Sequence, residues 1–387
     1  MGCELTSCQT VSQTTPNISI PSALLPSDGR FGSGPSKVRP EAVAALAEIA
    51  PTYLGTSHRQ ATVKDTVGRL RDGLSALFDL PDGWEVVLGN GGSTIFWDAA
   101  TFGLVEARSQ HLVFGEFSSK FAAETDAAPF LGDPQIISSD PGSHPTPVGS
   151  DDVDFYALTH NETSTGVMAP MKRPAGSTAK SLVAADATSA AGALRWDPAE
   201  VDCYYFAPQK ALASDGGLWI ACCSPATIER IGAIEAGPRW IPAGLNLATA
   251  LDNSTKNQTY NTPSLATLFL AAHQVEWLNN SGGMDFSAGR SEQSAHILYS
   301  WAAASGYATP YVTEPAQRSN VVGTIDLDDR VEASTVSAVL RANGIVDTDS
   351  YRKLGRNQLR IAMFPAIEPT DIEALTACID YVVGELS

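Results

Sequence analysis

The sequence predicts an α/β protein: a large domain with a mainly parallel sheet flanked by helices, then a smaller α+β C-terminal domain. Three observations carry this. Short, continuous apolar runs alternate with helical patterns, as expected of parallel strands covered on both faces. The 387 residues exceed the roughly 250–300 at which single cores stop growing. The alternation also changes character late in the chain, after one long helical pattern.

Residues 1–20, rich in Ser, Thr and Gln, read as a loose arm. KDTVGRLRDGLSALF spaces Val67, Leu70, Leu74, Leu77 and Phe78 by three or four, giving a helix with one apolar face. WEVVLGN is a short buried strand, followed by a glycine loop and a second helix, STIFWDAATFGL. HLVFGEF, VDFYALTH, SLVAAD, DCYYFAP and GLWIACC are further strands between turn residues. TPSLATLFLAAHQVEWL is a strong helix opened by Thr262 and Pro263. Beyond it come a helix around 285–304, a strand near SNVVGTIDL, a helix near 332–343 and a final helix from 369. The large domain therefore spans 21–275 and the small one 276–387.

With 43 acidic and 25 basic side chains the net charge is −18. Such a surface repels nucleic acid and anionic membrane, so neither is an expected partner. Any anionic substrate must be met by locally gathered cations. Six cysteines, Cys3, Cys8, Cys203, Cys222, Cys223 and Cys378, have no CxxC or metal-ligand spacing, and several lie in apolar runs. No metal is expected, and a reducing, cytoplasmic compartment fits. The N-terminus shows no secretory pattern, and no run approaches the roughly 18 apolar residues of a membrane helix. MGCELT matches a myristoylation pattern that is short and common by chance.

Two residues open the case for chemistry. Asp186 ends one strand and Lys210 follows another, and open α/β sheets bind ligands beyond the carboxyl ends of their strands. A lysine in an apolar setting can lose its proton and form a Schiff base. A carboxylate facing a pyridine nitrogen keeps that nitrogen protonated. Between WEVVLGN and STIFWD, the sequence GNGGST offers helix N-terminal amides with the Ser93 and Thr94 hydroxyls, a site for a small cofactor's phosphate. It is neither a dinucleotide fingerprint nor a Walker loop. Taken singly, each of these residues has an ordinary structural reading as a cap, a turn or a solvated loop.

Nine segments occur in one order over residues 31–366: FGSGPSKV, GTSHRQ, NGGSTIFWDAA, GEFSSKFA, HNETSTGV, AADATSAAG, YYFAPQKALASDGGLW, KNQTYNTPS and GRNQLRIAMFPA. This set resembles the phosphoserine aminotransferase family of class V aminotransferases, most closely its actinobacterial branch. The resemblance covers all but about the first 20 residues. It implies the fold type I architecture of pyridoxal-phosphate enzymes, a homodimer with shared active sites, and pyridoxal 5'-phosphate as cofactor. Lys210 would carry the cofactor as a Schiff base, Asp186 would pair with the ring nitrogen and Thr163 would contact the ring hydroxyl. Gln209, Ser93 and Thr94 would hold the phosphate, with Asn261 and Thr262 completing that site from a second subunit. Phe117 would stack on the ring, where many members carry tryptophan.

For substrate, the resemblance gives Arg360 to the α-carboxylate, in the bidentate fork that guanidinium favours. His58 and Arg59 would reach across the dimer to the substrate's phosphate or side-chain carboxylate. Better-known members carry a His-Arg pair shortly before the final arginine. Here YRKLGRNQLR offers Arg352, Lys353 and Arg356 in another register, and which of them meets the phosphate stays open. The implied reaction converts 3-phosphohydroxypyruvate and L-glutamate to O-phospho-L-serine and 2-oxoglutarate in serine biosynthesis. A side activity on 4-phosphohydroxy-L-threonine, in pyridoxine biosynthesis, is also implied.

Two other readings share this architecture. A cysteine desulfurase needs a nucleophilic cysteine on a mobile loop and usually a histidine before the cofactor lysine. Here Gln209 takes that place, and Cys378 lies in an amphipathic helical run. A binding module without turnover generally shows damage at the lysine or the carboxylate-binding arginine, yet Lys210, Asp186 and Arg360 are all in place.

Overall fold

The computed structural model describes residues 15–387. Residues 1–14 lie outside the described residues, and with them Cys3, Cys8, the MGCELT pattern and most of the expected arm. Within the rest of that arm, Ile20 is buried, and the Asn343 side chain bonds both its N–H and the carbonyl of Ile18.

Two helices come first, α1 (Pro40–Tyr53) and α2 (Ala61–Leu77). Strand β1 (Glu85–Gly91) runs into helix α3 (Ser93–Gly103), and β2 (Ser109–Val113) into α4 (Glu116–Asp126). The edge strand β3 (Gln135–Ser138) and the central β4 (Phe155–Thr159) follow. A small hairpin comes next, β5 (Asn161–Glu162) with β6 (Val167–Met168). Then come β7 (Leu182–Asp186), β8 (Cys203–Phe206) and β9 (Gly217–Cys223).

The main sheet has the order β1-β9-β8-β7-β4-β2-β3. Only β9 runs against the rest, pairing antiparallel with both β1 and β8. The other six strands therefore share one direction and deliver their carboxyl ends to the same edge. Register fixes those ends closely, with Thr159 opposite Asp186 and Asp186 opposite Tyr205. Strands β4, β7 and β8 are buried along their whole length, which explains their unbroken apolar runs.

Helices α5 (Pro225–Glu235), α6 (Leu247–Ser254) and α7 (Leu265–Ser281) complete this part. On one face α7 packs against α2, burying Leu268, Ala272 and Val275 against Val67, Leu70 and Leu74. Helix α7 starts at Leu265, three residues later than Thr262, because Thr262 and Pro263 belong to a loop described below. HLVFGEF is also not one strand. It leaves the sheet at Val113, Gly115 turns the chain, and Glu116 begins α4.

Helix α8 (Gly283–Ala304) leads to an antiparallel sheet of β10 (Ala308–Pro310), β11 (Val322–Leu327) and β12 (Gln358–Ala362). It is covered by α8, α9 (Ala333–Ala342) and α10 (Pro369–Leu386). The segment before α1 ties the two sheets together. The Phe31 carbonyl accepts from Ala362 N, and Ser36 N donates to the carbonyl of Gln209.

Asp154 fixes the sheet's register at the amino end of β4, the edge opposite the site. Its carboxylate accepts from the backbone N–H groups of Glu106, Ala107 and Arg108 at 2.7–2.8 Å and pairs with the buried Arg230 at 3.2 Å. Asp154→Ala is expected to cost about 2–4 kcal/mol, because it strands three donors and weakens the pairing of a buried guanidinium. Urea unfolding checks this, and a loss below about 0.5 kcal/mol would contradict it.

Candidate active site

The carboxyl ends of the parallel strands enclose a cavity of about 370 Å³. Its walls include Ser93 and Thr94 after β1, Phe117 after β2, Thr159 ending β4, Asn161 opening β5, Asp186 ending β7, and Gln209 and Lys210 after β8. Ser33, Gly34 and Pro35 close one side, Arg360 comes from β12 and Tyr351 from the turn before it. Gly34 belongs where it is because a Cβ there would lie 2.9 Å from Lys210 Cε.

Lys210 is 8% and Asp186 7% exposed. Burial pushes the Lys210 ammonium down to about 8, against the pull of the Asp186 and Glu162 charges, with Arg360 pushing it lower. Its Nζ donates to Thr163 Oγ1 at 3.3 Å and lies 5.1 Å from the centre of the Phe117 ring. Burial raises the Asp186 carboxyl above its usual range, opposed by hydrogen bonds from Thr188 and the Lys210 charge. A cationic ring nitrogen placed against it would favour the ionised form.

Asp186 is held on both oxygens. Oδ1 accepts from Thr188 N (2.9 Å) and Thr188 Oγ1 (2.6 Å), and Oδ2 accepts from Trp97 Nε1 (3.2 Å). Since the Thr188 hydroxyl donates to Asp186, Ser93 Oγ must be the donor in its 2.5 Å contact with Thr188 Oγ1. Helix α3 is capped only by Gly92, whose lack of a side chain leaves the first amides of the helix open to an anion.

Three buried polar atoms in the lining have no protein partner: Gln209 Oε1, Asn161 Oδ1 and Arg360 Nε. Arg360 spends little of its fork, giving Nη1 to the Thr163 carbonyl at 3.4 Å, with Tyr351 5.3 Å beneath the guanidinium. Orphaned groups of this kind, a polar carboxylate floor and an open helix end fit a phosphorylated pyridine ring with an acidic substrate beside it.

Lys210, Asp186, Thr163, Ser93, Thr94, Gln209, Phe117 and Arg360 thus meet in one cavity. His58, Arg59, Asn261 and Thr262 do not line it. They form a second, largely exposed cluster. There, Arg59 Nη1 donates to Gln258 Oε1 at 2.8 Å, and Thr262 Oγ1 lies 3.0 Å from His58 Nδ1. The Thr262 carbonyl accepts from the Asn90 side chain near the end of β1. Of the three cations in YRKLGR, Lys353 pairs with Glu116 and Arg356 with Asp326, while Arg352 has no ion pair among the described residues. Cys378 is buried in α10, on no loop, and burial holds its thiol up at about 11, so it lacks the exposure and acidity of a desulfurase nucleophile.

Sequence reasoning missed Trp97, Thr188 and Tyr351. Trp97 stands four residues after Ser93 on one helical face, a signal available in the sequence. Thr188 follows Asp186 by two, the spacing of a local side-chain-to-backbone bond. Nothing in the sequence marks Tyr351.

The sequence profile described as Aminotransferase class-V matches residues 147–348. A phosphoserine aminotransferase of a Nocardioides species is 61% identical over 96% of this chain and 100% of its own length. One from Rhodococcus jostii is 59% identical over 95% and 98%. The chain belongs to the class V aminotransferases, and within them to the phosphoserine aminotransferase family. Among solved structures, a phosphoserine aminotransferase from Cytophaga hutchinsonii superposes with a TM-score of 0.83 at 22% identity, covering 92% of this chain and all of that one. One from Bacillus circulans subsp. alkalophilus gives 0.79 at 20%, covering 93% and 99%. These two likenesses establish the fold.

Because its charged form is disfavoured, Lys210 should be a free amine above about pH 8 rather than above 10.5. In cofactor-free protein, modification of Lys210 by an amine reagent, followed by peptide mass spectrometry, should be half-maximal near pH 8. A midpoint near that of an ordinary lysine would contradict the burial argument.

Proposed function

We propose that this chain transfers the amino group of L-glutamate to 3-phosphohydroxypyruvate with pyridoxal 5'-phosphate, giving O-phospho-L-serine and 2-oxoglutarate in serine biosynthesis. One observation carries the reading. A lysine driven toward its neutral form and a buried carboxylate face one cavity, beside an arginine whose donors are largely unspent.

Bound there, the cofactor supplies a reactive carbonyl carbon and a ring that takes up electrons. Asp186 would hold a proton on the ring nitrogen, and Thr188 and Trp97 keep that carboxylate in place. Ser93, Thr94, Gln209 and the amides of α3 bind the phosphate. Phe117 would cover the ring, and Thr163 would orient its hydroxyl. Lys210 Nζ would hold the cofactor and, once freed, would be the base that takes the proton from substrate Cα and the acid that returns one. Arg360 orients the α-carboxylate.

The phosphate of the substrate falls to His58 and Arg59 of the partner subunit of a homodimer. Supporting this, apolar side chains that a second chain would cover are exposed on three nearby segments: Leu54 before His58 at 41%, Ile95 in α3 at 38% and Tyr260 beside Asn261 at 47%. Asn261 and Thr262 lie in the same cluster and complete the phosphate site of the cofactor across that interface. Lys353 can join the substrate phosphate by leaving Glu116, whereas Arg356 is committed to Asp326.

Arg59→Ala is expected to reduce kcat/KM for 3-phosphohydroxypyruvate roughly 30-fold or more beyond its effect on pyruvate. Equal losses on the two acceptors would make Arg59 structural. Mixing tests the sharing of sites. Lys210→Ala and Arg59→Ala are each nearly inactive alone, but a mixed dimer holds one site with neither defect. About half of randomly reassorted dimers are mixed, so roughly a quarter of wild-type activity should return. Demonstrated subunit exchange without recovery would refute the shared site.

A further inference from the structure

Glu162 is fully buried, at 0% exposure, between two residues that line the cavity, Asn161 and Thr163. No arginine, lysine or histidine pairs with it among the described residues. Its carboxylate instead accepts five hydrogen bonds. Oε2 takes Phe117 N (3.0 Å), Ser118 N (3.0 Å) and Ser118 Oγ (3.1 Å), and Oε1 takes Ser164 N (3.2 Å) and Ser164 Oγ (2.7 Å). Ser164 Oγ accepts in turn from Glu116 N at 3.1 Å.

The first amides of α4 have no partner inside the helix. They are satisfied from outside, by Glu162 and Ser164 of the turn whose middle residue, Thr163, touches Lys210 Nζ and Arg360. A negative charge is also favoured at a helix N-terminus. Glycine at 115 allows the approach, because a Cβ there would lie 2.3 Å from Glu162 Cγ. Phe117, whose ring faces Lys210, therefore has its place set by this one carboxylate. The charged groups around Lys210 come from three elements: Asp186 on β7, Glu162 on β5 and Arg360 on β12.

We propose that Glu162 is a positioning residue for the amino-transfer site: its carboxylate fixes Phe117 over the cofactor pocket and supplies a second negative charge beside Lys210. This rests on Lys210 being the cofactor lysine. The Glu162 charge raises the proton affinity of Lys210 that burial lowers, so that the amine stays within reach of both proton states near neutrality.

The test uses the full chain without cofactor. In Glu162→Gln the amide oxygen can still accept from Phe117 and Ser118 while its NH2 donates to Ser164 Oγ, so size and the bonds to α4 are kept, charge is lost and only the Ser164 N–H bond is given up. The pH midpoint of Lys210 modification should fall by about half a unit or more. Glu162→Asp keeps the charge and shortens the reach. Its midpoint should match wild type, while affinity for added pyridoxal phosphate falls about fivefold or more. In a double-mutant cycle with Phe117→Leu, the two losses should not add. A folded Glu162→Gln with the wild-type midpoint overturns the electrostatic role. If that variant does not fold, Glu162→Asp still decides: wild-type affinity, or losses that add to those of Phe117→Leu, overturns the positioning role. Failure of the underlying assignment looks different, since Lys210→Ala would then bind the cofactor with unchanged absorbance whatever Glu162 does.

Discussion

Lys210 and Asp186 are taken out of water together at the carboxyl edge of one sheet, and the rest of the site answers the cost of that burial. An isolated buried charge is strongly disfavoured, so each group must lose its charge or acquire partners. Lys210 moves toward the first, its ammonium pushed down to about 8 so that both proton states lie within reach near neutrality. Asp186 does the second, with three donors from Thr188 and Trp97. The outcome is an amine ready to react facing a carboxylate ready to hold a cation.

That arrangement depends on backbone register more than on the two side chains. Parallel strands place successive carboxyl ends side by side, and Thr159, Asp186 and Tyr205 are neighbours across β4, β7 and β8. The same edge turns β1 into α3 and β2 into α4, so an open helix end and the Phe117 ring arrive at the cavity with no further device. Asp154 and Glu162 do similar work at opposite ends of β4. Each gathers several backbone amides on one carboxylate, the first to hold the entry to β2 and the second to hold α4.

Much of this was legible in the sequence, for physical reasons. Fully buried strands must be continuously apolar, so SLVAAD and DCYYFAP announce themselves, and with them the strand-end positions of Asp186 and Lys210. Helix α4 was not legible from apolar pattern, because HLVFGEF stays apolar across the point where Gly115 turns the chain. Helix α5 carried an unused signal, Ser224 before Pro225, whose hydroxyl accepts from Thr227 N. The start of α7 was misjudged because Thr262 serves the loop with His58 and Asn90 instead of capping a helix. Tyr351 reaches the cavity from a turn between α9 and β12, and such long-range placement leaves no local trace.

The account rests on Lys210, Asp186 and Arg360 acting on one amino donor and one phosphorylated acceptor in turn. The direct measurement is the absorbance of the cofactor-loaded protein through two single turnovers. L-Glutamate should convert the Schiff-base band to that of the amine form. Stoichiometric 3-phosphohydroxypyruvate should then restore it far faster than pyruvate or glyoxylate does. A spectrum unmoved by L-glutamate, or one restored equally well by all three acceptors, would contradict it.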